Sequence, residues 1–398
     1  MTRYGSIARN FLLSRIRKPL EDATLSLLTT ITDAMIRSHA RRARADKRGL
    51  LIVSSGGIGD TILFSLMIER FLGLTSKDEN VILVVRSESR IVRFLFPARV
   101  KMMPVDYRKF IRNPIYRLSI AKDIRDLGVR LAISTDHLRL PTVDDVMIMA
   151  SGATEKYALR PRSWPKHDAA LMAHRAWYTD WVEPEPAMRH RLIRWWELAK
   201  ELTKDDTPPP KVTFAPERLP APVTGDRPHI VLHPFSAIPE REAAPDVFIE
   251  IVKVFGTTHD IILSTGPNDL ARAPHHQALA DMPEVTGDAT DMESKAALMR
   301  GAALVVSVDT SVMHLAVGVG APTLCLASAA HIVDSVPYDS RMTPENVRFE
   351  VPEIDCAGCL GNCIHPLEHG RYLCLQQLTP ERVINAAREM LAAHGSGA

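Results

Sequence analysis

Short runs of apolar, largely β-branched residues recur along the chain, each followed by a stretch whose apolar positions repeat at helical spacing. The first, LLIVSS at 50–55, passes through the glycine turn of Gly56, Gly57 and Gly59 into a helix opened by Asp60 and running to about Leu72. VILVVR at 81–86, a helix near 88–96, a short strand near 101–105, a helix broken around Pro114 and VRLAIST at 129–135 continue the alternation. Ala187 to Leu202 predicts a helix whose Trp195 and Trp196 suit core or interdomain packing. The alternation then restarts: HIVLHP at 229–234, a helix from about Pro245 to Phe255, DIILSTG at 260–266, a helical stretch to about Met282, a helix from Met292 to Gly301, a buried strand from Ala302 to Val308, and PTLCLAS at 322–328. Strands alternating with helices predict an α/β protein of doubly wound parallel sheets, whose ligands sit at the carboxyl ends of the strands.

Length divides this pattern in two, because 398 residues exceed one typical domain. Residues 206–228 hold most of a proline-rich, aperiodic segment and predict an extended, fairly stiff linker between a domain at 49–205 and another at 229–398. Residues 1–48 form a basic extension in which Arg15, Arg17, Lys18, Arg41, Arg42 and Arg44 alternate with apolar positions. Such an arm suits an anionic membrane face, with ~1 kcal/mol from each basic residue near the surface; it equally suits packing on the body or on another subunit. The formal net charge of +2 gives no nucleic-acid signal. No apolar run approaches the ~20 residues that span a bilayer, and no secretory signal is evident, so a reducing cytoplasm is the expected setting.

Two turns carry candidate chemistry. In VVSVDTSVMHLAVGVG, Asp309 ends a strand, and Thr310 and Ser311 are placed to cap a helix with His314 one turn in. Free N–H groups and the positive end of a helix dipole suit a phosphate or diphosphate there, although an ordinary capped helix has the same sequence. In GGIGD, a dinucleotide-binding fingerprint fails: position 62 is Ile62 where a third glycine is needed, and the second strand ends in Arg86 rather than an acidic residue. There is no P-loop either. Asp60 remains as a helix N-cap or a general base aimed from that turn. The spacing Cys356-x2-Cys359-x3-Cys363-x10-Cys374 can gather four thiolates around one tetrahedral zinc or iron ion, or can be reduced cysteines in a packed loop. Cys325 lies in an apolar strand and reads as core.

The segments HPFSAIPER, LSTGPND and TGDATDMESKAALMRGAALVVSVDTSVMHLAVGVGAPTLCLAS, and the tail ending CLQQLTPERVINAARE, resemble glycosyltransferase family 9, the bacterial heptosyltransferases of the lipopolysaccharide inner core. SGGIGDTILF, AISTDHLRL and KYALRPR extend the likeness into the first half. The resemblance implies a GT-B fold, two Rossmann-like domains facing a cleft, and inversion at the anomeric carbon with no catalytic cofactor. The implied donor is a nucleotide sugar, ADP-heptose favoured, and the implied acceptor a glycan or lipid-linked sugar. By position it makes Asp60 the base, Arg241 a donor-phosphate residue, and Asp309, Thr310, Ser311 and His314 the diphosphate site. The chain departs from the family pattern at Ser311, at Phe64, Ser65 and Leu66, at Phe235, and at Ala243 and Ala244, positions that touch the donor-sugar and acceptor pockets. The Cys tail is similar to that of transferases that glycosylate autotransporter proteins, which carry a cysteine-ligated iron, so a protein acceptor is the second reading. A non-catalytic sugar-nucleotide binder and a nucleotide-sugar epimerase are further readings.

Overall fold

The computed structural model describes residues 27–40, 47–183 and 189–394. The strands form two six-stranded sheets, parallel throughout. The first holds β1 (Leu50–Val53), β2 (Val81–Arg86), β3 (Val100–Val105), β4 (Leu131–Ser134), β5 (Glu155–Leu159) and β6 (Asp180–Val182), in the order β3-β2-β1-β4-β5-β6. The second holds β7 (His229–His233), β8 (Asp260–Ser264), β9 (Val285–Asp288), β10 (Leu304–Val308), β11 (Thr323–Leu326) and β12 (Val347–Glu350), in the order β12-β11-β10-β7-β8-β9. Both are the Rossmann order, in which the winding reverses between the first and fourth strands and leaves a crevice at their carboxyl ends. The strands β1, β4, β7, β10 and β11 are buried along their whole length, as sheets covered on both faces require.

Contacts cluster the chain into two compact units that no single cut separates. One comprises residues 1–55, 75–87 and 99–183; the other comprises 56–74, 88–98 and 184–398. The second unit therefore includes helices drawn from the first half of the sequence. Ile58–Phe64 packs against Ser311–Gly318, and Ile68–Leu72 against Arg191–Thr203. Apolar residues explain this: Phe64 stacks edge-on against Trp195 at 5.3 Å and lies 5.4 Å from Phe71, and all three are buried. The single helix expected from Asp60 to Leu72 is two, broken at Ser65–Met67.

The proline-rich segment 206–228 packs on the second unit. Val212 and Phe214 are buried, Phe214 N–H donates to the Gly318 carbonyl at 2.7 Å, and a Cβ on Gly318 would lie 2.1 Å from the Phe214 ring. Of the expected basic extension, residues 1–26 and 41–46 lie outside the described residues. Residues 27–40 are helical, with Thr32 and Ile36 buried and Asp33 accepting two hydrogen bonds (2.7 and 3.0 Å) from buried Arg117.

Candidate active site

The site is built at the winding reversal of the second sheet, where β7 and β10 lie side by side. From the end of β7 the chain runs through Pro234 and Phe235 to a short 3-10 turn, Pro239–Arg241; from the end of β10 it runs through Asp309 and Thr310 into the Ser311–Gly318 helix. A third contribution is the glycine turn and the Ile58–Phe64 helix. Together they line one cavity of about 820 Å³ whose walls include Gly57, Gly59, Asp60, Arg241, Asp309, Thr310, Ser311 and His314. That volume lies within the range of small-molecule pockets, roughly 300–1,000 Å³. Gly56 is outside the lining but sets its geometry.

Two glycines are present for space rather than for backbone conformation. A Cβ on Gly56 would fall 2.4 Å from Asp60 Cβ and 2.5 Å from its Oδ2. A Cβ on Gly59 would fall 3.3 Å from His314 Cδ2 and 3.5 Å from Ser311 Cα, so Gly59 lets the two helix N-termini approach. Asp60 is not the N-cap: Gly57 is, and Asp60 sits at the third helical position, accepting from Gly57 N–H at 2.7 Å, the acidic half of a capping box that glycine cannot complete. Its other oxygen is ion-paired with Arg191. Arg191 in turn pairs with Asp334, which Arg194 also binds at 2.7 Å. Burial alone would raise the Asp334 pKa, but Arg191 and Arg194 hold it well below the usual carboxylate range.

Thr310 occupies the N-cap of the Ser311–Gly318 helix, but its hydroxyl turns back to the Val308 carbonyl at 3.4 Å and caps nothing. The capping expected of Thr310 and Ser311 is thus absent, and the first turn of the helix borders the cavity, an arrangement suited to an anion. The Arg241 guanidinium is ion-paired with buried Asp309, yet its Nε is buried without a partner. Asp309 is thus engaged in holding the Arg241 guanidinium. Burial brings the His314 imidazole down to about pKa 3, the nearby Asp309 opposing, so the ring is neutral. Tyr338 Oη lies 2.7 Å from His314 Nδ1 and 3.7 Å from Met313 Sδ. A thioether is the weaker acceptor, so the hydroxyl donates to Nδ1 and the ring proton sits on Nε2.

Arg191, Lys295 and His331 also line the cavity, with Asp334 and Tyr338 directly behind, and sequence reasoning missed all five. Lys295 is buried and held by Asp288 at 2.8 Å and Ser264 Oγ at 3.0 Å. In MESKAALMR the lysine shares a helix with apolar Met292, Ala296 and Met299, the one signal in the sequence that could have found it. The cysteines stand apart from the cavity. Cys374 is buried, and Cys356, Cys359 and Cys363 are half-buried. Among the described residues no three of their sulfurs lie within 4.8 Å of one another, unlike the atoms of Glu242, His275 and His276. Burial, and then the neighbouring sulfurs, push the Cys356 thiol up.

The two doubly wound parallel sheets are a fold of the GT-B type. The model of glycosyltransferase family 9 (heptosyltransferase) matches residues 161–348, bearing out the resemblance carried by the sequence motifs. No curated protein sequence matches the chain. Among solved structures, the chain is similar to the family 9 glycosyl transferase of Veillonella parvula DSM 2008, at 17% identity and a TM-score of 0.67, covering 88% of this chain and 99% of that one. It is similar to E. coli heptosyltransferase WaaC with ADP, at 17% identity and a TM-score of 0.61, covering 87% and 98%. It is also similar to E. coli ADP-heptose lps heptosyltransferase II, at 12% identity and a TM-score of 0.63, covering 87% and 100%.

Proposed function

We propose that this glycosyltransferase moves heptose, with inversion, from ADP-heptose to a lipopolysaccharide core or similar glycan acceptor. One observation carries the reading: an uncapped helix N-terminus and the Arg241 side chain line the same cavity as a carboxylate, Asp60. The first pair suits the departing diphosphate, whose negative charge grows as the glycosidic bond breaks. Asp60 suits the acceptor hydroxyl, which must lose a proton as it attacks. To take that proton, Asp60 must yield the oxygen now paired with Arg191, so arrival of the acceptor and release of that pair go together. The neutral His314 adds an Nε2–H donor toward the diphosphate without holding the product by charge.

The nucleotide assignment is supported by the E. coli WaaC structures with ADP and with ADP-2-deoxy-2-fluoro heptose. Cytoplasmic placement at the inner face of the inner membrane is part of the proposal. It is supported by the helix at 27–40, where Leu27, Leu28, Ile31 and Met35 are 42–62% exposed. Among the described residues no helix is long and apolar enough to cross a membrane.

Asp60→Asn tests the reading. It removes the base but keeps the side-chain volume, so transfer should fall by the ~10²–10⁴-fold that general base catalysis supplies, while donor binding by calorimetry persists. Transfer at the wild-type rate would sink the assignment of the base. Donor binding with no transfer by the wild-type protein, to either a core glycan or an autotransporter-type protein acceptor, would leave a non-catalytic sugar-nucleotide binder.

A further inference from the structure

Behind Arg241, outside the cavity lining, lies a second cluster. Glu242 directly follows Arg241 and its side chain is fully buried. One carboxylate oxygen accepts from Ser236 N–H at 2.7 Å. The other faces two imidazoles at once, His275 Nε2 at 2.7 Å and His276 Nε2 at 3.3 Å. The two histidines are consecutive, carried by the 3-10 turn Pro274–His276. His276 is fully buried between the rings of Phe235 (5.4 Å) and Phe248 (6.0 Å), both edge-on, and neither of its ring nitrogens has a hydrogen-bond partner. A buried polar group left in this state costs ~1–3 kcal/mol, and a buried carboxylate needs a positive partner.

We propose that Glu242, His275 and His276 form a three-ligand site for a divalent transition metal of the zinc class. The donor set is two imidazoles and one carboxylate, and all three ligand atoms lie within 4.8 Å of one another. A tetrahedral zinc with bonds of ~2.0–2.1 Å holds its ligands roughly 3.3 Å apart, so seating the ion mainly requires the 2.7 Å His275–Glu242 contact to open slightly. The ion gives His276 Nε2 its partner and supplies the positive charge that Glu242 lacks. Because Glu242 adjoins Arg241, the ion would also fix the turn that carries the donor-phosphate arginine.

Cobalt(II) titration of the full-length, metal-stripped protein tests this, because the Cys loop and the imidazole site give different spectra. Cobalt on thiolates shows a sulfur-to-metal charge-transfer band; cobalt on two histidines and a glutamate shows ligand-field bands without it. The expected result is one equivalent bound without the thiolate band, retained in Cys356→Ser and weakened in His275→Ala. The weakening should exceed the ~10-fold that loss of even an outer-shell partner costs. His275 is partly exposed, so this variant should fold; circular dichroism checks it, and Glu242→Gln is the second variant. Cobalt bound only with the thiolate band, cobalt binding indifferent to both variants, or no binding would overturn the proposal and leave a proton shared between His275 and Glu242.

Discussion

Gly56→Ala places a methyl group where the Asp60 side chain now lies. The new Cβ would be 2.4 Å from Asp60 Cβ, 2.6 Å from Cγ and 2.5 Å from Oδ2. The first of these is anchored to the helix backbone, so no rotation of a flexible tip relieves the overlap. Restoring ordinary contact requires Asp60 to move by about 1 Å, a displacement that costs ~10²-fold when it falls on a reacting group. Overpacking of this kind costs ~1–3 kcal/mol of stability, so the variant should remain folded. Gly57→Ala is the comparison: its Cβ would meet nothing nearer than Oδ2 at 3.9 Å, and its φ of −75° suits alanine. Steady-state release of nucleoside diphosphate should show kcat falling about 10²-fold in Gly56→Ala and far less in Gly57→Ala. Donor affinity by calorimetry should hold in both, because the amides and Arg241 are untouched. A folded Gly56→Ala protein that keeps its kcat, or loses kcat and donor affinity in step, would refute the view that Gly56 exists to place Asp60.

Arg241→Gln removes a charged donor from the cavity and strands Asp309; with charged hydrogen bonds worth ~1.5–3 kcal/mol, donor affinity should fall roughly 10- to 100-fold, and an unchanged dissociation constant would remove Arg241 from the site. Stability should depend on pH with opposite sign in the two units. In the second unit burial depresses His190, His233 and His331 to about 4 and His314 to about 3. The unfolded chain, with histidines near their ordinary 6.5, then binds more protons, and stability rises from about pH 4 to 6.5 by up to ~1.4 kcal/mol per pH unit for each. In the first unit Asp144, raised to about 8 by burial and then by Asp136, makes the folded form bind the extra proton, so stability falls between about pH 4 and 8. Urea unfolding followed separately in the two units checks both slopes, and parallel slopes would contradict the assignment.

Most strands that were legible in the sequence are those buried along their length, where nearly every position is apolar; β3 and β8 were legible despite exposed positions because their remaining residues are apolar. β5, β6, β9 and β12 were not, and their residues explain why. Glu155 begins β5 exposed, Asp180–Val182 is three residues long, Thr286 and Gly287 of β9 are exposed, and Arg348 of β12 pairs with Glu350 and Glu389. The glycine turn and the DTSVMH turn were legible because each is a contiguous strand-to-helix junction. Arg191, Asp334 and Tyr338 were not, since each is defined by a partner distant in sequence.

Those distant partners change how the charges of the site work. Arg241 is paired with Asp309, Lys295 with Asp288, Arg272 with Asp269, and Arg191 with Asp60 and Asp334. Each cation that lines the cavity already has a carboxylate, so under the proposed function a diphosphate entering it would be held chiefly by backbone amides and a neutral imidazole. Those donors are directional, and they strengthen as charge develops on the leaving oxygen. An unpaired arginine would hold donor and diphosphate product alike, lowering KM without raising kcat. Under the proposed function, pairing the arginine with buried Asp309 would limit that uniform attraction and leave the transition state to be favoured by the directional donors.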